Sequence, residues 1–282
     1  MPVIDAALHK EIVTALGWYV DIGVHEVILD EAEDYTKAEE LPTMMAAASI
    51  SSLAPVSGGA HEKTLAFLGK SDARAEAVKR AKSANTLDEL KDEIATFDGI
   101  AIKKTASNIV FADGNPKAKI MVIGDAPAAD EDRMGKPFVG ASGQLLDKIL
   151  ACIDLSREGE ELEKSVYITN ILNWRPPGNR SPNPAEIEVS LPFIERHIQL
   201  IKPEIIILCG AMAAKSLLAT SSSISRLRKS SHEYKTITQE LGEERAIAAF
   251  PIYHPSDLIN TPLQKRAVWE DMLKIQAKIH KS

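Results

Sequence analysis

Four short apolar runs punctuate the second half of this chain: Ile120-Met-Val-Ile123, Val166-Tyr-Ile-Thr169, Ile205-Ile-Ile-Leu-Cys209 and the stretch 246–253. They are continuous rather than alternating, as strands buried on both faces are. Residues 143–152, 184–201, 211–218 and 265–280 instead carry apolar positions at helical spacing, with Pro184 at a helix start. Such strand–helix alternation predicts an α/β protein: a three-layer α/β/α sandwich around a four-stranded, mainly parallel sheet.

Upstream the pattern changes. Ile12, Val13, Leu16 and Tyr19 mark a helix that Gly23 would end. Residues 46–60 are rich in Ala, Ser, Gly and Pro without a periodic apolar face, so they read as a flexible linker. Residues 63–82 favour a helix, and Thr86-Leu-Asp-Glu89 is a capping box opening another towards Phe97. The expected organisation is an acidic helical N-terminal extension over 1–45, a linker over 46–62, and the α/β/α domain with its leading helices over 63–282.

Composition narrows the possibilities. With 282 residues and 45% hydrophobic content the chain can bury one sizeable core and a small appendage. Its longest apolar runs are too short to cross a bilayer, and the N-terminus lacks a signal peptide's basic-then-apolar order, so the expected location is the cytoplasm. Only Cys152 and Cys209 are present, both inside apolar runs that suggest packing. Two cysteines build neither a disulfide framework nor a four-cysteine metal site. The net charge of −7 is unevenly spread. Residues 1–60 hold ten acidic and two basic residues, whereas 31 basic and 30 acidic residues follow, a net of +1. A near-neutral body can bind DNA through a basic face. Arg226-Leu-Arg-Lys229 is one candidate for it, a solvated surface loop being the alternative.

Three segments follow predicted strands: Gly124-Asp-Ala-Pro-Ala-Ala-Asp-Glu-Asp-Arg-Met-Gly-Lys-Pro-Phe-Val-Gly140, Asn170-Ile-Leu-Asn-Trp-Arg-Pro-Pro-Gly-Asn-Arg-Ser-Pro182 and His254-Pro-Ser-Asp-Leu258. Loops that follow parallel strands converge on one sheet edge, where α/β proteins bind ligands. In order and spacing these three motifs resemble those of the family 4 uracil-DNA glycosylases, over roughly residues 85–280. Two positions depart from the first motif, Asp125 for Glu and Ala128 for Gly.

The resemblance implies release of uracil from uracil-containing DNA, and the chemistry of the residues suits it. A base must be swung out of the helix, stacked and read on its Watson–Crick edge. Phe138, in a Gly/Pro-shaped loop, is the stacking candidate, or else packs in the core. Asn170 has one donor and one acceptor, matching uracil O4 and N3–H, or else caps a turn. His254 is placed to hydrogen-bond uracil O2, where charge grows as the base leaves. Asp125 and Glu131 are candidates to orient water, stabilise the sugar cation or shape the pocket near uracil C5. Arg175, Asn179, Arg180 and Ser256 suit DNA contact. Leu258 and its neighbour Ile259 are the candidates to wedge into the gap left by the flipped nucleotide, or else either one is core. His197 and His280, on predicted helices, read as surface residues.

Family 4 enzymes carry an iron–sulfur cluster on four cysteines. The corresponding positions here are Phe97, Ile100, Trp174 and Ser190, without a thiolate among them. The expectation is therefore a protein without a cluster or other cofactor, in which Trp174 fills the vacated volume. A non-catalytic uracil- or DNA-binding relative and a small-molecule hydrolase on the same fold are the alternatives.

Overall fold

The computed structural model describes residues 72–159, 161–242 and 246–280. The acidic segment over 1–45, the linker over 46–62 and the first part of the helix expected from residue 63 lie outside the described residues.

Helices α1 (Asp72–Ser83) and α2 (Leu87–Thr96) lead into the sheet. Half of the expected capping box forms: the Glu89 N–H donates to Thr86 Oγ1 (3.1 Å), while the Glu89 carboxylate accepts the Asn85 N–H (2.6 Å), one residue before the N-cap, instead of that of Thr86. Strands β1 (Ala112–Gly114) and β2 (Ile120–Gly124) are followed by α3 (Ala129–Met134) and α4 (Gly140–Ala151). Next come β3 (Val166–Asn170), α5 (Pro184–Ile201), β4 (Ile205–Cys209), α6 (Ala211–Leu217) and α7 (Ile224–Leu227). Strands β5 (His232–Tyr234) and β6 (Ile247–Ile252) precede α8 (Pro255–Asn260) and α9 (Lys265–Ile279).

The sheet has six strands in the order β1-β3-β2-β4-β6-β5 rather than the four expected. The central four are parallel, with Val122 in register with both Ile168 and Ile207. Both extra strands are three-residue antiparallel edges, β1 on β3 and β5 on β6.

The two faces of the central strands feed different cores. Met121, Ile123, Tyr167, Ile206 and Leu208 pack on one side with Leu90 and Ile94 of α2 and Phe193 and Ile198 of α5. Ile120, Val122, Ile168 and Ile207 pack on the other with Leu146 and Leu150 of α4 and Met272 and Ile275 of α9. Period-two alternation thus fills both sides of the sheet with apolar residues, which explains the uninterrupted runs. The result is the expected three-layer α/β/α sandwich. Among the described residues no helix is long and apolar enough to cross a membrane.

Three expectations are corrected. His197 is not a surface residue: it is 1% exposed, its Nε2 lies 2.7 Å from the Tyr167 hydroxyl, and its ring stacks on Phe111. Burial holds its pKa down, to about 3, so the ring is neutral. Cys152 is exposed, not packed, whereas Cys209 is buried. The run from Arg226 to Lys229 is not a uniform basic face. Leu227 is buried, and Arg228 pairs with Asp271 (2.5 Å) while lying 4.4 Å over the Tyr253 ring.

Candidate active site

From β2 the chain moves to one side, to β3, and from β4 to the other, to β6. This makes the carboxyl ends of β2 and β4 the switch point at which open α/β sheets form a ligand crevice. Gly124, Asn170, Cys209 and the chain beyond β6 all end here. Hydrogen bonds from the Ile171 N–H to Gly124 O (2.9 Å) and the Leu172 N–H to Asp125 O (3.3 Å) tie the first two motifs together.

Phe138 is the centre of the group. It is buried yet holds a left-handed backbone, φ +50°, which an L side chain rarely adopts. Its ring and the Asn170 Oδ1 both crowd the Cα of Gly124, so that any side chain at Gly124 would collide with the pair. The ring centroid of His254 lies 5.4 Å from that of Phe138 with the planes 30° apart. The third motif is thereby stacked against the first. Glu131 braces the same loop from behind: its carboxylate accepts from the Phe138 N–H (2.6 Å) and the Ala128 N–H (2.5 Å). Burial raises its pKa against those two bonds. Both donors fasten Glu131 to backbone.

Asn170 is 2% exposed, and its Nδ2 is buried without a hydrogen-bond partner. An amide that neither caps a turn nor meets water costs roughly 1–3 kcal/mol. Its place beside Phe138 makes that donor available to a ligand's acceptor.

The protonation of His254 follows from its own turn. Nδ1 accepts the backbone N–H of Ser256 (3.2 Å) and lies 2.7 Å from the Ser256 hydroxyl. An Nδ1 that accepts a backbone N–H carries no proton, so in the neutral ring the proton sits on Nε2. Burial lowers the His254 pKa against the opposing pull of Asp257. His254 is therefore a neutral Nε2–H donor, and Ser256 is its orienting partner.

Asp125 occupies the switch point itself. Its Oδ1 accepts the Ala213 N–H (2.7 Å) at the start of α6, and its carboxyl lies over the Cα of Gly210, a residue at φ +118°. Burial raises its pKa to about 6, against backbone hydrogen bonds from Ala213 and Met212 and with a small push from Asp257. A folded pKa above the unfolded one means the proton binds the folded state more tightly. That stabilisation is complete below about pH 4 and is lost as pH rises through about 6. Asp125→Asn should thus raise the melting temperature relative to wild type at pH 8 and not at pH 4.

The remaining candidates divide. Arg175 donates to Asn179 Oδ1 (2.7 Å) and reaches Asp132 at 3.9 Å. Asp132 in turn accepts the Ser107 and Asn108 N–H groups (2.8 and 3.1 Å), which anchors this loop. Arg180 forks onto Glu186 (2.6 and 3.0 Å), the residue that closes the capping box of α5. Its guanidinium fastens the loop to that helix while the side chain stays 42% exposed. Leu258 is 1% exposed and sits in the α4/α9 core, whereas Ile259 is 46% exposed. The wedge expectation therefore fails for Leu258, and the exposed aliphatic is its neighbour.

The four positions matching cluster ligands do gather in space. Phe97, Ile100, Trp174 and Ser190 line one small cavity with Asn173 and Phe193. About 10 Å³ remains inside it, at or below what one water needs. Phe97 and Phe193 meet edge to face at 5.3 Å, and Lys103 Nζ lies 6.0 Å over the Trp174 ring. A packed aromatic cluster without thiolates does not fit an iron–sulfur group. Among the described residues no group of three or more His, Cys, Asp or Glu is placed to hold a metal ion.

Arg157 carried no motif and was missed from sequence. It donates to the carbonyls of two successive residues, Pro137 and Phe138. Nothing local signals this, because its contacts lie 10 to 44 residues away.

Comparison with known proteins gives the family. A family model described as "Uracil DNA glycosylase superfamily" matches residues 111–273. The chain is 36% identical over 194 residues to a type-4 uracil-DNA glycosylase of Archaeoglobus fulgidus, covering 67% of this chain and 92% of that one. A type-4 uracil-DNA glycosylase of Sulfurisphaera tokodaii is 34% identical over 196 residues, 68% of this chain and 84% of its own. That of Thermotoga maritima is 33% identical over 178 residues, 62% and 85%. With the family model spanning more than half its length and relatives alike over two thirds of it, the chain belongs to the uracil-DNA glycosylase superfamily.

Proposed function

We propose that this protein hydrolyses the N-glycosidic bond of uracil in DNA, leaving an abasic site for base excision repair. The observation that carries the reading is the buried, unpaired Nδ2 of Asn170 beside the Phe138 ring, with the ring centroid of His254 5.4 Å from that of Phe138.

A uracil flipped into this crevice stacks on Phe138. Asn170 Nδ2–H donates to O4 and its Oδ1 accepts N3–H, whereas cytosine offers a donor and an acceptor in the reversed positions. His254 Nε2–H donates to O2. As the C1′–N1 bond breaks, its electron pair moves into the pyrimidine ring and onto O2, where the His254 hydrogen bond strengthens. Water adds to C1′ of the sugar cation, and Asp125, ionised above about pH 6, is the carboxylate that orients it and takes its proton. Glu131 acts on this chemistry through the backbone of Phe138. Arg175 and Asn179 contact the DNA backbone, and Ile259 fills the vacated stack. The proposed location is the cytoplasm.

The reading extends to the cofactor: the aromatic cluster around Trp174 takes the place of an iron–sulfur cluster. Anaerobically purified protein is expected to hold no stoichiometric iron or acid-labile sulfide while remaining active. Four iron atoms per chain would overturn this part of the proposal.

The experiment that tests the whole is incubation with a labelled oligonucleotide containing one uracil, followed by detection of alkali-sensitive abasic sites. Uracil release is the expected result. Uracil-specific binding without release would make the chain a non-catalytic relative. Release from free deoxyuridine with no requirement for DNA would make it a small-molecule hydrolase.

A further inference from the structure

We infer that Arg157, in the turn between α4 and β3, is a positioning residue that clamps Phe138 together with Glu131. The consequence for catalysis rests on the glycosylase reading, while the clamp itself rests on geometry. Phe138 belongs to no strand, and its left-handed backbone has no regular hydrogen-bond ladder to hold it. Two charged side chains, one buried and one partly buried, do so instead. Glu131 takes the N–H of Phe138 at 2.6 Å, and Arg157 donates to its carbonyl at 2.9 Å and to the Pro137 carbonyl at 3.1 Å. A negative group holds the donor side and a positive group the acceptor side, and both bonds are of the stronger, charge-assisted kind.

The guanidinium is itself fixed. Its side chain is 11% exposed, with Nε on Asp147 (2.8 Å) and Nη1 on Asp113 (3.1 Å). Acidic groups of α4 and β1 thus aim the fork at the two carbonyls. Close contact of the Phe138 carbonyl with the Cα of Gly143 leaves no side for the loop to relax towards. A lysine cannot reproduce this, since it offers one nitrogen where the arrangement uses three.

Arg157→Lys and Arg157→Ala are expected to lower kcat for uracil release about tenfold or more, as a displaced stacking ring would. Arg80→Ala breaks the ion pairs of Arg80 with Glu76 (3.0 Å) and Glu93 (3.3 Å) in the leading helices and touches no group of the clamp, so it serves as the control for lost stability. Amide exchange of the segment 136–140 should quicken in the Arg157 variants and not in the control. Millimolar guanidinium should partly restore kcat to Arg157→Ala and leave Arg80→Ala unchanged. An Arg157→Ala protein that releases uracil at the wild-type rate, or whose 136–140 segment exchanges as in wild type, would overturn the inference. Should wild type release no uracil at all, the glycosylase reading fails, while the exchange comparison still decides the clamp.

Discussion

Asn170→Leu is expected to yield a protein that melts higher and no longer releases uracil. The two effects have one cause. In the free protein the Asn170 amide is buried with its Nδ2 unpaired, an arrangement that costs roughly 1–3 kcal/mol. Leucine has a similar shape and no donor to leave unsatisfied, so the melting temperature should rise by about 2–4 °C for each kcal/mol relieved. Without the amide the pocket cannot read the uracil edge, and the rate should fall by about 10²–10³-fold, the scale for losing one preorganised hydrogen-bond donor. Asn170→Ala separates the terms: it loses the same activity but also leaves a cavity beside Phe138, so it should not gain stability. Thermal melts and single-turnover base release on the three proteins check this. A leucine variant that is less stable than wild type would mean that the Asn170 amide is satisfied in the free protein and has a structural task.

What the sequence reveals about this molecule follows the range of the forces involved. Central strands such as Ile205–Cys209 are legible because burial on both faces requires continuous apolar residues. Capped helices are legible because Thr86 with Glu89, and Asn183 with Glu186, act within one turn. The edge strands Ala112–Gly114 and His232–Tyr234 escape notice: they are three residues long, carry Asp113, His232 and Glu233, and are defined by pairing with distant chain. His197 looks like a surface histidine until Tyr167 and Phe111 close over it from other elements.

The site shows the same division. Phe138, Asn170 and His254 come together because three loops follow parallel strands, a consequence of topology readable in advance. The distribution of labour among the charged residues was hidden, since Glu131 braces Phe138, Arg180 answers Glu186 and Arg157 reaches back 19 residues to the Phe138 carbonyl. Likewise, whether Leu258 or Ile259 faces outward depends on how α8 rests against α4, and the choice between adjacent aliphatics leaves no trace in composition.

His254→Ala should lower the rate by about 10²–10³-fold, because the developing charge on uracil O2 then has no donor. The pH profile carries the sharper test. Burial lowers the pKa of His254 below that of an ordinary histidine, and Nε2 carries its proton whether the ring is neutral or charged. Asp125, raised to about 6, loses its negative charge as pH falls through that value. The acid limb of the rate should therefore lie near pH 6 and belong to Asp125. It should persist in the residual activity of His254→Ala and vanish in Asp125→Asn, whose lower rate becomes flat between about pH 5 and 8. Loss of the limb in His254→Ala instead would show that the imidazole is the titrating group. The neutral tautomer deduced from the Ser256 N–H would then be wrong, and with it the assignment of His254 as an uncharged donor to O2.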